Sequence, residues 1–224
     1  MSKVSAYCLG KITKDYVMLP AGCAIGTGVG PKLIAKEPFA LDSLHDKVVA
    51  VPGEETSAYL LMQILLEKPK KVIFLPYHEI VSSILSKKCD AGVIIHETRF
   101  SFQVQGLCEL ADLGTLFSSR FSLPIPLGMV VIKRSLGKTF ADEAAESIQR
   151  SITYSRKQPQ SLKKEILELS QEKDEKIIQS HIDLYVNDET YEISKEGIFA
   201  IRALFTLAIE RGLLDESALE FSTW

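Results

Sequence analysis

A chain of 224 residues, 46% hydrophobic and 25% charged, has the apolar content for one domain or two small lobes, which excludes a disordered chain. Its net charge of −3 excludes the basic character that draws a protein to nucleic acid or to an anionic membrane surface. No apolar run approaches the length of a bilayer span, and the start MSKVSAYCLGKITKD has no apolar stretch after its charges, so a soluble, cytoplasmic protein is expected.

Residues 1–12 are small and apolar without a clear helix cap, and residues 16–19 form a short strand stopped by Pro20. Gly22, Gly26, Gly28 and Gly30 follow within nine positions. A phosphate-binding loop would need GK[ST] after it, or GxGxxG opening a helix; here Pro31 and a strand at 32–35 come instead. A flexible or closely packed turn is the better reading. The strand at 47–51 ends at Pro52-Gly53, and Glu54, Glu55, Thr56 and Ser57 lead into an apolar helix at 58–66. Thr56 or Ser57 suits the cap, and the two acids suit the positive end of the helix dipole. The free N–H groups and hydroxyls of this turn also suit an anionic or hydroxylated ligand, although plain capping has the same signature.

A second strand at 71–75 and a helix at 79–86 precede the turn Asp90-Ala91-Gly92 and the β-branched run Val93-Ile94-Ile95, which ends in His96, Glu97, Thr98 and Arg99. Strand–helix–strand–helix–strand predicts a mostly parallel sheet. Parallel strands share a direction, so Thr56, Ser57 and His96 fall on one edge, where ligands of open α/β sheets sit. Tyr77 and His78 follow the middle strand at that edge, with His78 the better surface residue. A histidine at a strand end is equally compatible with a structural role; the convergence with Thr56 and Ser57 favours a site.

Residues 107–110 form a further strand, closed by Asp112-Leu113-Gly114. Residues 122–128, with Pro124 and Pro126, read as a rigid, non-helical hinge or crossover between two lobes, leading into a strand at 129–133. Helical periodicity then covers 140–156, 159–170, 173–185 and 194–211, with cap-type starts at Thr139 and Ser194 and Gly212 at the last helix end. The charge runs around Lys163-Lys164 and 172–176 are solvated faces. The four cysteines, Cys8, Cys23, Cys89 and Cys108, lack metal-ligand spacing and read as free thiols.

Several segments, in order, resemble the 1,4-dihydroxy-6-naphthoate synthases of the futalosine route to menaquinone. They are KVS at 3–5, GTGVGP at 26–31, VAVPGEETSAYLL at 49–61, DAGVIIHETRF at 90–100, ADLG at 111–114, LPIPLG at 123–128, and YVND at 185–188 with the following KEG. The resemblance covers nearly the whole chain, and the combination of the PG-x-x-T turn, the IIHE strand end and LPxPLG is specific. It implies a two-lobed α/β fold of the periplasmic-binding-protein type (type II), with a ligand cleft between the lobes. The larger, discontinuous lobe would comprise 1–48 and 127–224, and the smaller α/β lobe 49–126. In that family a strand and a polar turn that helps to line the cleft precede the KVS segment, so the first lobe's sheet is expected to be shortened at its N-terminal side.

The same resemblance implies conversion of cyclic dehypoxanthinylfutalosine to 1,4-dihydroxy-6-naphthoate, a carbon–carbon lyase reaction. It places the proton acceptor on His96 and substrate contacts on Lys3, Val4, Ser5, Thr56 and Ser57. Neither a metal nor an organic cofactor is implied; the partner is a small-molecule substrate, with no nucleic acid or membrane. An imidazole that titrates near the working pH suits proton removal and delivery. The competing expectations are a non-catalytic small-molecule-binding protein of the same fold and a chorismate dehydratase, the latter disfavoured by a histidine at this strand end.

Overall fold

The computed structural model describes residues 1–170 and 172–223. In chain order, strand β1 (Ser2–Ser5) passes directly into helix α1 (Ala6–Ile12), and three short strands follow: β2 (Tyr16–Met18), β3 (Ala24–Gly26) and β4 (Lys32–Ala35). The next block is β5 (Val48–Val51), α2 (Ser57–Leu65), β6 (Lys71–Phe74), α3 (Ile80–Leu85) and β7 (Ala91–Ile94). Then come β8 (Cys108–Asp112), α4 (Leu113–Phe121) and β9 (Ile125–Lys133). Helices α5 (Gly137–Lys157), α6 (Pro159–Leu169), α7 (Glu175–Tyr185), α8 (Asp188–Tyr191) and α9 (Lys195–Glu210) complete the chain.

The strands make two sheets. β9 is the hub of the first, antiparallel to β1, β2 and β3. The second has the order β6-β5-β7-β4-β8, with β5 parallel to β6 and β7, and β4 antiparallel to β7 and β8. The expected parallel unit is therefore present, and β5 and β7 end on one edge. Because β4 runs the other way, Lys32 pairs with Ile94 and the glycine loop before it arrives at the same edge. One apolar core joins both sheets: Leu33 and Val51 of the second pack in the same buried cluster as Met129 of the first and Phe205 of α9. That contiguous burial is the dominant stabilising term.

Strand 32–35 pairs within the second sheet, and Ile125 and Pro126 already pair with β3 in the first. The chain crosses between the sheets near the two prolines, and is already strand from Ile125 onward. Pro126 pairs with Ile25 beside a register shift that skips Leu127, beyond Gly128 where pairing with β1 ends, a bulged strand end that accepts a proline.

Capping explains the remaining differences. Ser5 caps α1, its hydroxyl accepting from the Cys8 N–H at 2.9 Å, where the sequence shows no clear signal. Asp112 does not merely close a strand; it caps α4 by accepting from the Gly114 and Thr115 N–H groups at 3.0 and 3.1 Å. Helix α5 starts at Gly137 without a side-chain cap, so Thr139 does not serve as one, whereas Ser194 caps α9 as expected. The glycine loop is a closely packed turn. A Cβ on Gly30 would meet the Gly114 backbone at 2.7 Å, and one on Gly114 would meet Val29 at 2.4 Å.

Candidate active site

A cavity of about 540 Å³ lies between the two sheets. β1 contributes Lys3, Val4 and Ser5, the β5–α2 turn contributes Thr56 and Ser57, and the end of β7 contributes His96. All six residues named from the sequence therefore share one cavity. A larger cavity of about 810 Å³ lies elsewhere, against α2 and β6, and contains none of them.

His96 follows Ile95, which is still extended, and turns into the left-handed region with φ +58° before a single 3-10 turn, His96–Phe100. For a residue with a Cβ this conformation is strained by roughly 1–2 kcal/mol, a pattern typical of functional positions. Burial holds the His96 imidazole below its ordinary pKa of 6.5, and the charge of Glu97 opposes this only in part. The ring is therefore neutral at neutral pH and free to accept a proton. Tyr77 meets it edge-on with ring centres 5.0 Å apart, while the His78 side chain is 60% exposed and belongs to the surface.

The hydroxyls of the site are already engaged. Ser57 Oγ donates to the Leu127 carbonyl at 2.7 Å and accepts from the Ala6 N–H at 3.0 Å, pinning α2 to β9 and α1. Thr56 donates to the Gly53 carbonyl at 2.8 Å and accepts from the Tyr59 N–H at 3.2 Å as the α2 cap. Ser5 donates to the Glu55 carbonyl while capping α1. Of the first N–H groups of α2, those of Tyr59 and Leu60 are taken by Thr56, so Ser57 and Ala58 retain theirs. The Lys3 ammonium donates to the Gly22 carbonyl, and burial lowers its pKa. The anion-holding capacity of this wall thus resides in backbone N–H groups and one ammonium rather than in the hydroxyls.

The opposite wall was not legible from the sequence. Helix α7 brings His181, Ile182 and Tyr185 to the cavity. His181 and Tyr185, four residues apart, lie on one helix face, which is the only signal that periodicity offered. Their rings are 4.7 Å apart, and the His181 ring is 6.0 Å from that of His96. Arg99 ties this wall to the rest: its guanidinium donates to the Tyr185 hydroxyl at 3.0 Å and the Gly30 carbonyl at 3.2 Å, and pairs with Asp112 at 3.3 Å. The cysteines take no part. All four are free, and burial pushes the Cys23 thiol to about 12 and Cys89 to about 11, which leaves them protonated and inert.

Together the walls supply a neutral imidazole, a cationic and N–H-lined wall for an anion, and apolar surface for a ring. A profile of the family described as menaquinone biosynthesis matches residues 1–210. A 1,4-dihydroxy-6-naphthoate synthase of Streptomyces coelicolor is 36% identical over 217 residues, covering 95% of this chain and 76% of the relative. One from Thermus thermophilus is 33% identical over the same share of this chain and 77% of the relative. Among solved structures, a protein of Archaeoglobus fulgidus superposes with a TM-score of 0.89 at 30% identity, over 95% of this chain and 79% of that one. The alkanesulfonate-binding protein of Xanthomonas axonopodis pv. citri superposes at 0.66 with 13% identity, over 96% and 74% of the two chains, a likeness of fold alone.

Proposed function

Since the chain belongs to the menaquinone-biosynthesis family, we propose that it is a 1,4-dihydroxy-6-naphthoate synthase acting on cyclic dehypoxanthinylfutalosine, with His96 as the general base. The observation that carries this reading is the meeting of His96 with Lys3 and the α2 N-terminus in one cavity. The substrate is a carboxylated bicycle with a spiro-fused sugar. Its carboxylate suits Lys3 and the Ser57 and Ala58 N–H groups, and its rings suit the apolar surface of Val4, Ile95 and Ile182. Ring opening and aromatisation begin with removal of a proton, which the neutral His96 imidazole in the cavity wall accepts. Ser5, Thr56 and Ser57 spend their hydroxyls holding α1 and α2 in place, and Val4 lines the wall with apolar surface.

The test is product formation from cyclic dehypoxanthinylfutalosine by the purified protein, beside His96→Ala and beside chorismate as substrate. Turnover to dihydroxynaphthoate that drops at least about 100-fold in His96→Ala is the expected result, the scale of a lost general base. Turnover of chorismate alone would assign a dehydratase. Tight binding of the futalosine derivative without product would leave a binding protein of this fold.

A further inference from the structure

When His96 removes a proton, the electron pair it leaves must collect on a conjugated oxygen of the substrate, and none of the residues assigned so far meets that charge. We propose that His181, neutral and carrying its proton on Nε2, donates the hydrogen bond to that oxygen. The assignment rests on the synthase reading above.

Position comes first. Helix α7 packs against the His96–Phe100 turn and β3, and His181 stands in the cavity wall 6.0 Å from His96, ring centre to ring centre. That is the scale of one six-membered ring with its substituents, so the two imidazoles can address different atoms of one bicycle.

The proton's place follows from hydrogen bonding. His181 Nδ1 is enclosed by protein and has no hydrogen-bond partner among the described residues. A neutral imidazole has one N–H and one bare nitrogen. A proton on Nδ1 would be a buried donor without an acceptor. On Nε2 it leaves only an unused lone pair inside, the lesser penalty. The imidazolium would strand a donor at Nδ1 in any case.

The surrounding charges agree. Glu97, His96 and Arg99 face the ring from the turn, Tyr185 faces it from α7 itself, and β3 contributes no titratable side chain. Burial disfavours the charged form, the Glu97 carboxylate works against this, and His96 and Arg99 reinforce it. The balance of the step is simple. The C–H bond beside the carbonyl breaks, its proton passes to His96, which becomes imidazolium, and its pair forms C=C while the C=O pair moves to the oxygen, where His181 donates a hydrogen bond without losing its proton. The enolate then collapses, re-forming C=O as the bond to the sugar breaks, and the sugar leaves with that pair and takes the proton from His96. A preorganised donor of this kind in an enclosed site acts on the transition state more than on the bound substrate.

Three variants and one spectrum test the assignment. His181→Gln places an amide N–H near the former Nε2, His181→Asn places it near Nδ1, and His181→Phe keeps a ring without nitrogen. His181→Phe and His181→Asn should lose about 100-fold or more in kcat with KM within about threefold, and His181→Gln should stay within about tenfold of the native rate. In the unmodified protein, ¹⁵N NMR at neutral pH should show the His181 proton on Nε2, a readout that needs no variant to fold. A folded His181→Phe enzyme with native kcat, a Gln variant as slow as Phe, or a proton on Nδ1 would each overturn the proposal. If the native protein turns over and His96→Ala does not, such a result removes only the His181 assignment. Absence of product from the native protein removes the synthase reading and this one with it.

Discussion

The Arg99–Asp112 pair should respond asymmetrically to loss of its two partners, and the structure says by how much. Both side chains are nearly buried, at 8% and 9% exposure, and sit 3.3 Å apart. Removing Asp112 leaves the Arg99 charge buried without its carboxylate, a change that typically costs about 3–5 kcal/mol. Asp112→Ala also removes the α4 cap, worth about 1 kcal/mol. Arg99→Met is different. Asp112 retains Lys32 at 3.0 Å and the Gly114 and Thr115 N–H groups, so its charge stays compensated. The loss is then three hydrogen bonds, to Gly30, Tyr185 and Asp112, of about 1 kcal/mol each, in a side chain of similar length. Asp112→Ala should thus be the more destabilising by about 1–3 kcal/mol, which lowers the urea midpoint by about 0.5–1 M more than Arg99→Met does at the slopes usual for such chains. Equal midpoints, or a larger fall in Arg99→Met, would refute the ordering and show that Lys32 does not hold Asp112.

Two other outcomes follow from the site. Ser57→Ala strands the Leu127 carbonyl and the Ala6 N–H together, so it should destabilise the fold by about 2–4 kcal/mol in urea melts while KM moves less than about threefold; a tenfold rise in KM with an unchanged melt would instead make the hydroxyl a substrate ligand. Burial lowers the His96 pKa below its ordinary 6.5, so above pH 6.5 folded and unfolded chains both carry it neutral. Below that value the unfolded chain binds a proton that the folded one resists, and stability falls with pH until the folded pKa is passed. Urea midpoints of the native chain and His96→Gln between about pH 5 and 8 isolate this contribution. The native chain should lose stability relative to the variant as the solution becomes more acidic than 6.5, and the acid limb of kcat/KM should lie below the same value. A native chain that gains relative stability on acidification would contradict the sign.

What was legible in the sequence is what short-range physics writes there. The β-branched runs at 47–51 and 93–95, separated by helical periodicity, read as parallel strands, and parallelism alone put Thr56, Ser57 and His96 on one edge; the strand begins at Ala91, inside the expected turn at 90–92. Ser194 and Gly212 marked the ends of α9 because capping hydroxyls and left-handed glycines are local chemistry. Ser5 was not legible as a cap, since β1 passes into the helix at Ala6 with no loop between them to announce it.

Tertiary structure alone decided the rest. β4 joins the second sheet because its partners Ala91–Ile94 and Cys108–Asp112 are far along the chain, and no periodicity within four residues records a partner. Ser57 could be named from its place at a helix start, but only the approach of β9 and α1 turns its hydroxyl away from a ligand and into the frame. His181 and Tyr185 read as two residues on one more amphipathic helix until α7 packs on the His96 turn and Arg99 joins the walls. Strand and helix propensities depend on neighbours a few positions away, whereas the wall of a cavity is assembled by burial across the whole chain.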